Sequence, residues 1–263
     1  MSKFWSVNVA TEEEIHFFID RVEALLEAKG IKVDHPAFRE VLKKAGARES
    51  AKGYITFPRQ LQREFLALAP KSFLLGGMTP EYDLQIPHPG GLFYARGPIG
   101  QVYYHDALTG AIRTNTMADQ EDTIMVQQGL EHMSMWGNFS VLPEGFPEEA
   151  ADVHTAALGM RHCKKPAYWM PYSAHSVRYV SEMAIVIAGG REALKKRPFL
   201  TLMACSKPPF GIKFMDVEQI IWAAELSLPL HCTSLPVAGA NAPVTPQGIA
   251  LLSTAEVVGQ AIM

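Results

Sequence analysis

The sequence has little cysteine, no long apolar run and no excess of basic residues, and each shortage excludes a class of protein. The three cysteines are an odd number and do not form a disulfide framework. The longest apolar runs, such as residues 183–188, are far shorter than the ~18 residues needed to span a bilayer. Lys and Arg total 24 against 27 Asp and Glu, so a general affinity for nucleic acid is not expected.

Apolar residues are plentiful, and charge is unevenly distributed. Hydrophobic residues make up 48% of the chain, which is typical of a globular protein with a large core. Residues 1–70 carry 21 Asp, Glu, Lys and Arg, whereas residues 198–263 carry 6. The N-terminal sequence MSKFWSVNVATEEE lacks the apolar core of a signal peptide, so we expect a cytoplasmic protein.

Residues 1–72 are predicted to form a small helical N-terminal region. Apolar residues recur at helical spacing between Thr11, a predicted N-cap, and Gly30. A second predicted helix ends at Gly46, and a third begins at Pro58. Residues 73–116 are rich in Gly, Pro and short apolar runs, and are predicted to be a β-rich connecting segment.

Predicted strands and helices alternate from residue 117 to residue 263. A predicted helix at 119–135 precedes the first strand, and the predicted strands are 138–142, 167–172, 199–205 and 228–235. A helix follows each strand, which indicates an α/β fold with a parallel sheet. A closed (β/α)₈ barrel needs eight such units, and the sequence ends inside a predicted helix. We therefore predict an incomplete TIM barrel over residues 117–263.

The residues predicted at the functional end of this barrel are suited to binding more than to proton transfer. The motifs G-x-G-x-x-G, P-loop, H-E-x-x-H and G-x-S-x-G are absent. Functional side chains of a barrel lie at the C-terminal ends of the strands. The predicted substrate-binding residues are Tyr172, Ser206, Thr233, Ser234, Gly239 and Asn241, with Tyr94 as an aromatic lid. A structural role is an equally good explanation for any one of them.

Soft metal ligands occur near three predicted strands. A zinc-activated thiol methyltransferase needs thiolate and imidazole ligands, which could come from His162–Cys163, Cys205 and His231–Cys232. However, no C-x₂-C spacing occurs, and a cysteine in an apolar strand is commonly a small buried hydrophobic residue. We therefore expect no bound zinc.

A segment near the C-terminus resembles a known family. The run SLPVAGANAPVTPQGIALLSTAEVVGQAI at 234–262 is similar to the P-M-A-G-A-x-A-P-V-T-x-x-G segment, and the following N-A-E-V-L-A-G helix, of trimethylamine–corrinoid protein methyltransferases. Further similar segments occur in the same order at 30–47, 66–75, 106–122 and 182–209. Family members are nearly twice as long, so the resemblance covers their N-terminal half.

The resemblance implies a TIM-barrel methyltransferase of methylamine metabolism, including methanogenesis. Such an enzyme moves a methyl group from trimethylamine, or from a quaternary amine such as glycine betaine, to the cobalt of a separate corrinoid protein. The implied cofactor is the corrinoid (cobalamin) carried by that partner, and no cofactor is expected to bind this chain directly. Because a quaternary ammonium is already a charged leaving group, the implied catalysis is by orientation and needs few acidic side chains.

Two alternatives stay open at this stage. In the first alternative, the chain is a non-catalytic fragment or a binding and assembly module with the same fold. In the second, which is weaker, it is a zinc-dependent methyltransferase. For the main hypothesis, we expect a corrinoid protein and a small methylated amine as partners, with neither nucleic acid nor membrane. A homo-oligomer is compatible with these expectations.

Overall fold

A computed structural model describes residues 10–139 and 143–263 as helices joined by short strands. The helices are α1 (Glu12–Ala28), α2 (Pro36–Lys44), α3 (Arg59–Leu68), α4 (Met117–Gly129), α5 (Glu148–His162), α6 (Ala174–Ala188), α7 (Arg191–Lys196), α8 (Phe214–Leu226) and α9 (Pro246–Ala261). Within these two ranges, no helix has both the length and the apolar character needed to cross a membrane.

The strands are mostly two to five residues long. They are β1 (Lys32–Val33), β2 (Arg48–Glu49), β3 (Ile55–Thr56), β4 (Phe73–Leu75), β5 (Leu84–Ile86), β6 (Ala95–Arg96), β7 (Tyr103–His105), β8 (Ile112–Thr114), β9 (Met133–Gly137), β10 (Ala167–Tyr168), β11 (Leu200–Lys207), β12 (Gly211–Ile212) and β13 (Leu230–Thr233). The predicted β-rich segment thus contains five of them, including the hairpins β4–β5 and β7–β8.

The chain divides into two compact units. The first unit contains residues up to Ala69, together with Cys205–Lys213 and Cys232–Met263. The second unit contains Pro70–Ala204 and Phe214–His231. The predicted domain limits 1–72, 73–116 and 117–263 stay predictions.

The first unit contains the three helices that the sequence predicts near the N-terminus, followed later in the chain by α9. Thr11 caps α1 as predicted: its Oγ1 accepts a hydrogen bond from the N–H of Glu14, and the Glu14 carboxylate accepts one from the N–H of Thr11. Helix α1 buries Val22 and Leu26 and packs against α9. Strand β12 pairs in parallel with β1 and antiparallel with the end of β11.

The second unit is built on a parallel sheet. Strands β6, β9, β10 and β11 are parallel neighbours in that order, and β13 pairs with β11. Helix α5 follows β9, α6 follows β10 and α8 follows β11 and β12. The predicted α/β class with parallel strands is therefore confirmed. The described strands form an open sheet and do not close into a barrel.

The apolar core of the second unit lies on the helix side of this sheet. Side chains alternate between the two faces of a strand, so residues two apart share a face. The strand residues of the core follow that rule and pack with α5, α6 and α8: they are Trp136, Ala167, Trp169, Leu200 and Leu202. Trp136 and Trp169 are both 0% exposed.

The first predicted βα unit begins earlier than expected. Helix α4 ends at Gly129 rather than at residue 135, and β9 occupies Met133–Gly137 rather than 138–142. Residues 140–142 of the predicted strand lie outside the described residues. The buried strand starts where Met133 pairs with Ala95 of β6, a tertiary contact that the local apolar pattern does not show.

Strand β10 is shorter than the predicted strand at 167–172. Beyond Tyr168, the Asn138 side chain replaces strand pairing: its Nδ2 donates to the carbonyl of Met170 at 2.9 Å. Its Oδ1 accepts from the N–H of Met170 at 3.0 Å. One amide side chain thus satisfies both backbone groups of Met170 where the ladder ends.

Close packing between α5 and β9 gives a test of this fold. A methyl group at Gly159 would lie 2.2 Å from ring atoms of Trp136. Because overpacked cores are strained, we expect Gly159→Ala to lower the free energy of unfolding by about 2 kcal/mol, measured by urea denaturation. Gly129→Ala is the matched control at the end of α4, since no described atom lies within 4 Å of its new methyl group. Equal stabilities of the two variants would contradict this packing.

Candidate functional site

In the first unit, a buried carboxylate connects the ends of two strands to α9. Glu256 is 0% exposed. The hydroxyls of Ser206, at the end of β11, and of Ser234, just after β13, each donate to its Oε2 at 2.5 Å. The N–H of Phe210 donates to its Oε1 at 2.6 Å. Three donors replace the water that a buried carboxylate gives up, so Glu256 fixes these strand ends in place.

Helix α9 brings this carboxylate to the strands because its buried residues recur at helical spacing. They are Leu252, Ala255, Glu256, Gly259 and Gln260. The helix begins as predicted, with Thr245 Oγ1 accepting from the N–H of Gly248 and Pro246 at the first helical position. One turn beyond Glu256, the side chain of Gln260 donates to the carbonyl of Thr233 at 2.8 Å. The predicted site residues Ser206, Thr233 and Ser234 thus meet at one face of α9.

The glycine-rich loop after β13 is a tight turn on the surface of the first unit. The Asn241 Oδ1 accepts a hydrogen bond from the N–H of Val237 at 2.6 Å, so part of this amide stabilises the turn. Gly239 has φ of +73°, a conformation that favours glycine. It is exposed, and an added methyl group there would meet a described atom only at 3.8 Å.

Tyr172 and Tyr94, the two predicted aromatic residues, lie in the second unit and contact different groups. The N–H of Tyr172 donates to Oδ2 of the buried Asp152 at 2.8 Å. The Tyr172 hydroxyl is buried without a hydrogen-bond partner in the described residues, and this burial, with the nearby Asp152 charge, raises its pKa. The Tyr94 hydroxyl donates to the carbonyl of Gln85, and its ring centroid lies 5.0 Å from that of His88.

A polar and aromatic cluster occupies the sheet face opposite the apolar core of the second unit. Tyr168 pairs with Thr201, which lies two residues before Met203, so these three side chains share a face. The Tyr168 hydroxyl donates to the Met203 sulfur at 2.8 Å. The Tyr168 ring lies edge-on to the His231 ring, with centroids 4.4 Å apart. The Arg96 guanidinium carbon stands 4.1 Å from the Tyr168 ring centroid. We call Arg96, Tyr168, Met203 and His231 the inner-face cluster.

His231 is a neutral imidazole in this cluster at physiological pH. Burial lowers its pKa to about 4, and the positive charge of Arg96 contributes to the shift. A neutral imidazole does not repel a cation brought close to it. The inner-face cluster therefore combines one guanidinium with three uncharged, polarisable side chains.

The candidate metal ligands are not assembled into a metal site in the described parts of the chain. In residues 10–139 and 143–263, no three His, Cys, Asp or Glu side chains come together to hold an ion. Cys163 is buried and its Sγ lies 3.2 Å from Oε1 of Gln128. Burial raises the pKa of the Cys163 thiol, and raises that of Cys232 to about 11. Both sulfurs therefore stay protonated at neutral pH, and neither is a prepared thiolate ligand.

Comparison with known proteins identifies the family. The family model described as trimethylamine methyltransferase (MTTB) matches residues 1–262. The chain belongs to this family. The resemblance predicted from the sequence is thereby confirmed.

Individual members of the trimethylamine methyltransferase family are distant relatives of this chain. It is 23% identical over 256 residues to trimethylamine methyltransferase MttB of Desulfitobacterium hafniense strain DSM 10664 / DCB-2, covering 96% of this chain and 51% of the relative. It is 22% identical over 252 residues to a glycine betaine methyltransferase of D. hafniense strain Y51, and the match covers 95% of this chain and 52% of that relative. For trimethylamine methyltransferase MttB of Methanosarcina thermophila, the identity is 22% over 263 residues, and the match covers 98% of this chain and 54% of that relative. The chain thus spans about half the length of these curated relatives.

Two charged residues of these sites escaped the sequence-based prediction, although each has a visible signal. Glu256 is the only Asp, Glu, Lys or Arg in residues 226–263, and Arg96 is the only one in residues 84–105. An isolated charge within a long uncharged stretch needs either buried partners or a function. Strand-end position alone selected Ser206 and Ser234 but not the carboxylate they bind. The substrate-binding roles predicted for Tyr94, Tyr172 and the five first-unit residues stay predictions.

The hydrogen bonds of Glu256 predict a large contribution to stability. Glu256→Leu leaves two hydroxyls and one N–H without their acceptor, so we expect the free energy of unfolding to fall by about 3 kcal/mol. Urea denaturation measures this change. Glu225→Leu, the same substitution on the exposed side of α8, is the control and should change stability by less than about 0.5 kcal/mol. If Glu256→Leu lowered the free energy of unfolding by no more than the control does, the Glu256 hydrogen bonds would be dispensable for stability.

The lowered pKa of His231 predicts a pH-dependent loss of stability. Between pH 6.5 and about pH 4 the unfolded chain binds a proton at His231 that the folded protein does not. The free energy of unfolding therefore falls as the pH drops through this window, by at most about 3 kcal/mol for this residue. His231→Gln should reduce that dependence, and urea denaturation of both proteins at pH 7 and pH 4.5 compares them. Identical pH dependences would argue against a buried neutral His231.

Proposed function

We propose that this chain takes part in transferring a methyl group from a methylated amine to the cobalt of a corrinoid protein. Membership of the trimethylamine methyltransferase family supports the reaction class. The names of the relatives support trimethylamine or glycine betaine as methyl donors. The structural observation that carries the proposal is the inner-face cluster, where an aromatic ring already has a cationic group 4.1 Å from its centroid. Because Arg96 already occupies that ring, Tyr172 is the residue proposed to hold the methylated ammonium group by the same kind of contact.

The proposed whole fold is a (β/α)₈ barrel to which this chain contributes the first strands. The parallel order of β6, β9, β10 and β11, with helices on one side of the sheet, supports this proposal. In such a barrel the inner-face cluster would line the interior, and the strand ends would surround its mouth. Tyr94, Tyr172, Ser206, Thr233, Ser234, Gly239 and Asn241 are the proposed substrate-binding residues.

The proposed partner is a corrinoid protein that presents its cobalt to this mouth. The turn at Ala238–Ala240 is exposed, and a methyl group added at Gly239 would meet a described atom only at 3.8 Å, so a flat ring system could approach the backbone there. Val237 and Leu235 beside this turn are also exposed, and they offer apolar contact area.

The proposed role of this chain in the reaction is to position the methyl donor. A docked corrinoid would supply the cobalt nucleophile for methyl transfer, and the amine nitrogen would leave with the C–N electron pair. This chain would hold the ammonium in line with the cobalt and keep water away from it. Of the inner-face cluster, His231, Tyr168 and Met203 are neutral, and Arg96 alone carries a positive charge. Glu256 would act indirectly, by fixing the strand ends that carry Ser206 and Ser234.

An anaerobic transfer assay tests the proposal. The protein is mixed with cob(I)alamin and either trimethylamine or glycine betaine, and loss of the cob(I)alamin absorbance is followed. We expect at least one amine to be demethylated faster with the protein than without it. Tyr172→Leu should slow this reaction about tenfold, the value of one good cation–π contact. Tyr179→Leu, an exposed tyrosine on α6, is the matched control and should have no effect.

Failure of both amines would contradict the proposed function. The assay is repeated with a purified corrinoid protein in place of free cob(I)alamin, because the partner contributes to orientation. If neither form of the corrinoid accepts a methyl group in the presence of the protein, the transfer reaction is excluded. A rate that is the same in Tyr172→Leu and in the unaltered protein would remove Tyr172 from the site while leaving the reaction in place.

A further inference from the structure

Arg96 carries a positive charge on the inner face of the sheet in the second unit. Its register partner on β9 is Met135, and Gly137, two residues further on, pairs with Tyr168. Since residues two apart on a strand share a face, Arg96 and Tyr168 project from the same side of the sheet. The contact between the guanidinium and the Tyr168 ring agrees with this register. Arg96 thus belongs to the face that the proposed barrel would enclose.

Among the described residues, the Arg96 guanidinium has no carboxylate partner. Its Nη1 donates to the carbonyl of Gly97 at 3.2 Å. No Asp or Glu oxygen lies within 4.0 Å of its nitrogens in the described residues, and residues 1–9 and 140–142 contain no Asp or Glu. Arg113 and Arg197 of the same unit, by contrast, are each paired with an aspartate. Because Arg96 is also exposed, most of its five N–H donors are available to an anion.

The groups around Arg96 leave its charge uncompensated. Tyr168 and Met203 are uncharged, and burial with the charge of Arg96 keeps His231 neutral at physiological pH. The inner-face cluster therefore has a net charge of about +1 at neutral pH. Such a site attracts a ligand with a negative group and disfavours a ligand whose only charge is positive.

We propose that Arg96 binds the carboxylate of the methyl donor, and that the donor is therefore a zwitterion carrying both a quaternary ammonium and a carboxylate. This inference rests on the proposed function and makes Arg96 its specificity-determining residue. A guanidinium binds a carboxylate through two parallel N–H···O hydrogen bonds. The Tyr168 ring supports the guanidinium from one side. The carboxylate then neutralises the guanidinium, so the ammonium end of the donor no longer faces an unpaired cation.

Calorimetric binding of three ligands with the same methylated head tests the role of Arg96. The ligands are glycine betaine, choline and tetramethylammonium, of which only the first has a carboxylate. We expect the protein to bind glycine betaine at least tenfold more tightly than choline. Arg96→Gln should weaken glycine betaine binding at least tenfold and leave choline binding unchanged or stronger. Circular dichroism and the melting temperature establish that the variant is folded.

Arg191→Gln is the matched control. Arg191 is exposed and, like Arg96, stands over an aromatic ring, with its guanidinium carbon 6.0 Å from the Trp222 ring centroid. It lies at the start of α7, on the helix side of the unit. Arg191→Gln should change neither the affinity for glycine betaine nor the affinity for choline. Equal loss of glycine betaine binding in both variants would overturn the inference, because a general loss of positive charge would then explain it.

Other outcomes separate this inference from the function on which it rests. Equal affinities for glycine betaine and choline, or unchanged glycine betaine binding in Arg96→Gln, would overturn the role of Arg96. If Arg96→Gln weakens only the binding of the corrinoid protein, the carboxylate belongs to the partner and the inference is also overturned. If trimethylamine but not glycine betaine donates a methyl group to cob(I)alamin, the inference fails and the proposed function stands. If no methylated amine donates, the proposed function fails.

Discussion

Along β9, β10 and β11, neighbouring residues face opposite environments, and the other features of the second unit depend on this alternation. Trp136 and Leu202 enter the apolar layer beneath α5, α6 and α8, and this forces Tyr168 and Met203 to the other face. A shift of register by one residue would bring the tyrosine into the helix layer and expose a tryptophan. The packing of α5 on Trp136 therefore stabilises the fold and also fixes the direction of the inner-face cluster.

The two isolated charges of the protein are accommodated in opposite ways. Glu256 is buried, and three hydrogen-bond donors compensate its charge, so its role is to hold strand ends in position. Arg96 stays exposed and keeps most of its donors unused by the protein. Burial thus explains why Glu256 is paired and has a structural role, whereas the exposed Arg96 keeps donors available for the proposed ligand-binding role.

Local sequence signals predicted most of the helices, although α4 ends at Gly129 rather than at residue 135. Thr11 and Thr245 cap their helices as expected, and the βα alternation correctly indicated a parallel sheet. The limits of β9 and β10 were predicted less well, because pairing with β6 and the side chain of Asn138 decide where those strands begin and end. Such contacts join residues far apart in the chain and leave no periodic pattern in the sequence.

The same limit explains what was missed at the site. Strand-end position selected Ser206, Thr233 and Ser234 without Glu256 and Gln260, because the two residues that bind them lie on a helix over twenty residues later. It also favoured Tyr172 over Tyr168, because the predicted strand extended past the point where β10 ends. Once strand limits are known, alternation identifies Tyr168 directly.

The double hydrogen bond between Asn138 and Met170 has a consequence for how motion is distributed. The Asn138 side-chain amide bonds both the N–H and the C=O of Met170, as the backbone of a neighbouring strand would. Met170 should therefore exchange its amide hydrogen slowly, although it lies outside any strand. Order then extends past the sheet to the residue two before Tyr172. Aspartate at position 138 would keep the acceptor but lose the donor, and the ordered end of β10 would retreat toward Tyr168.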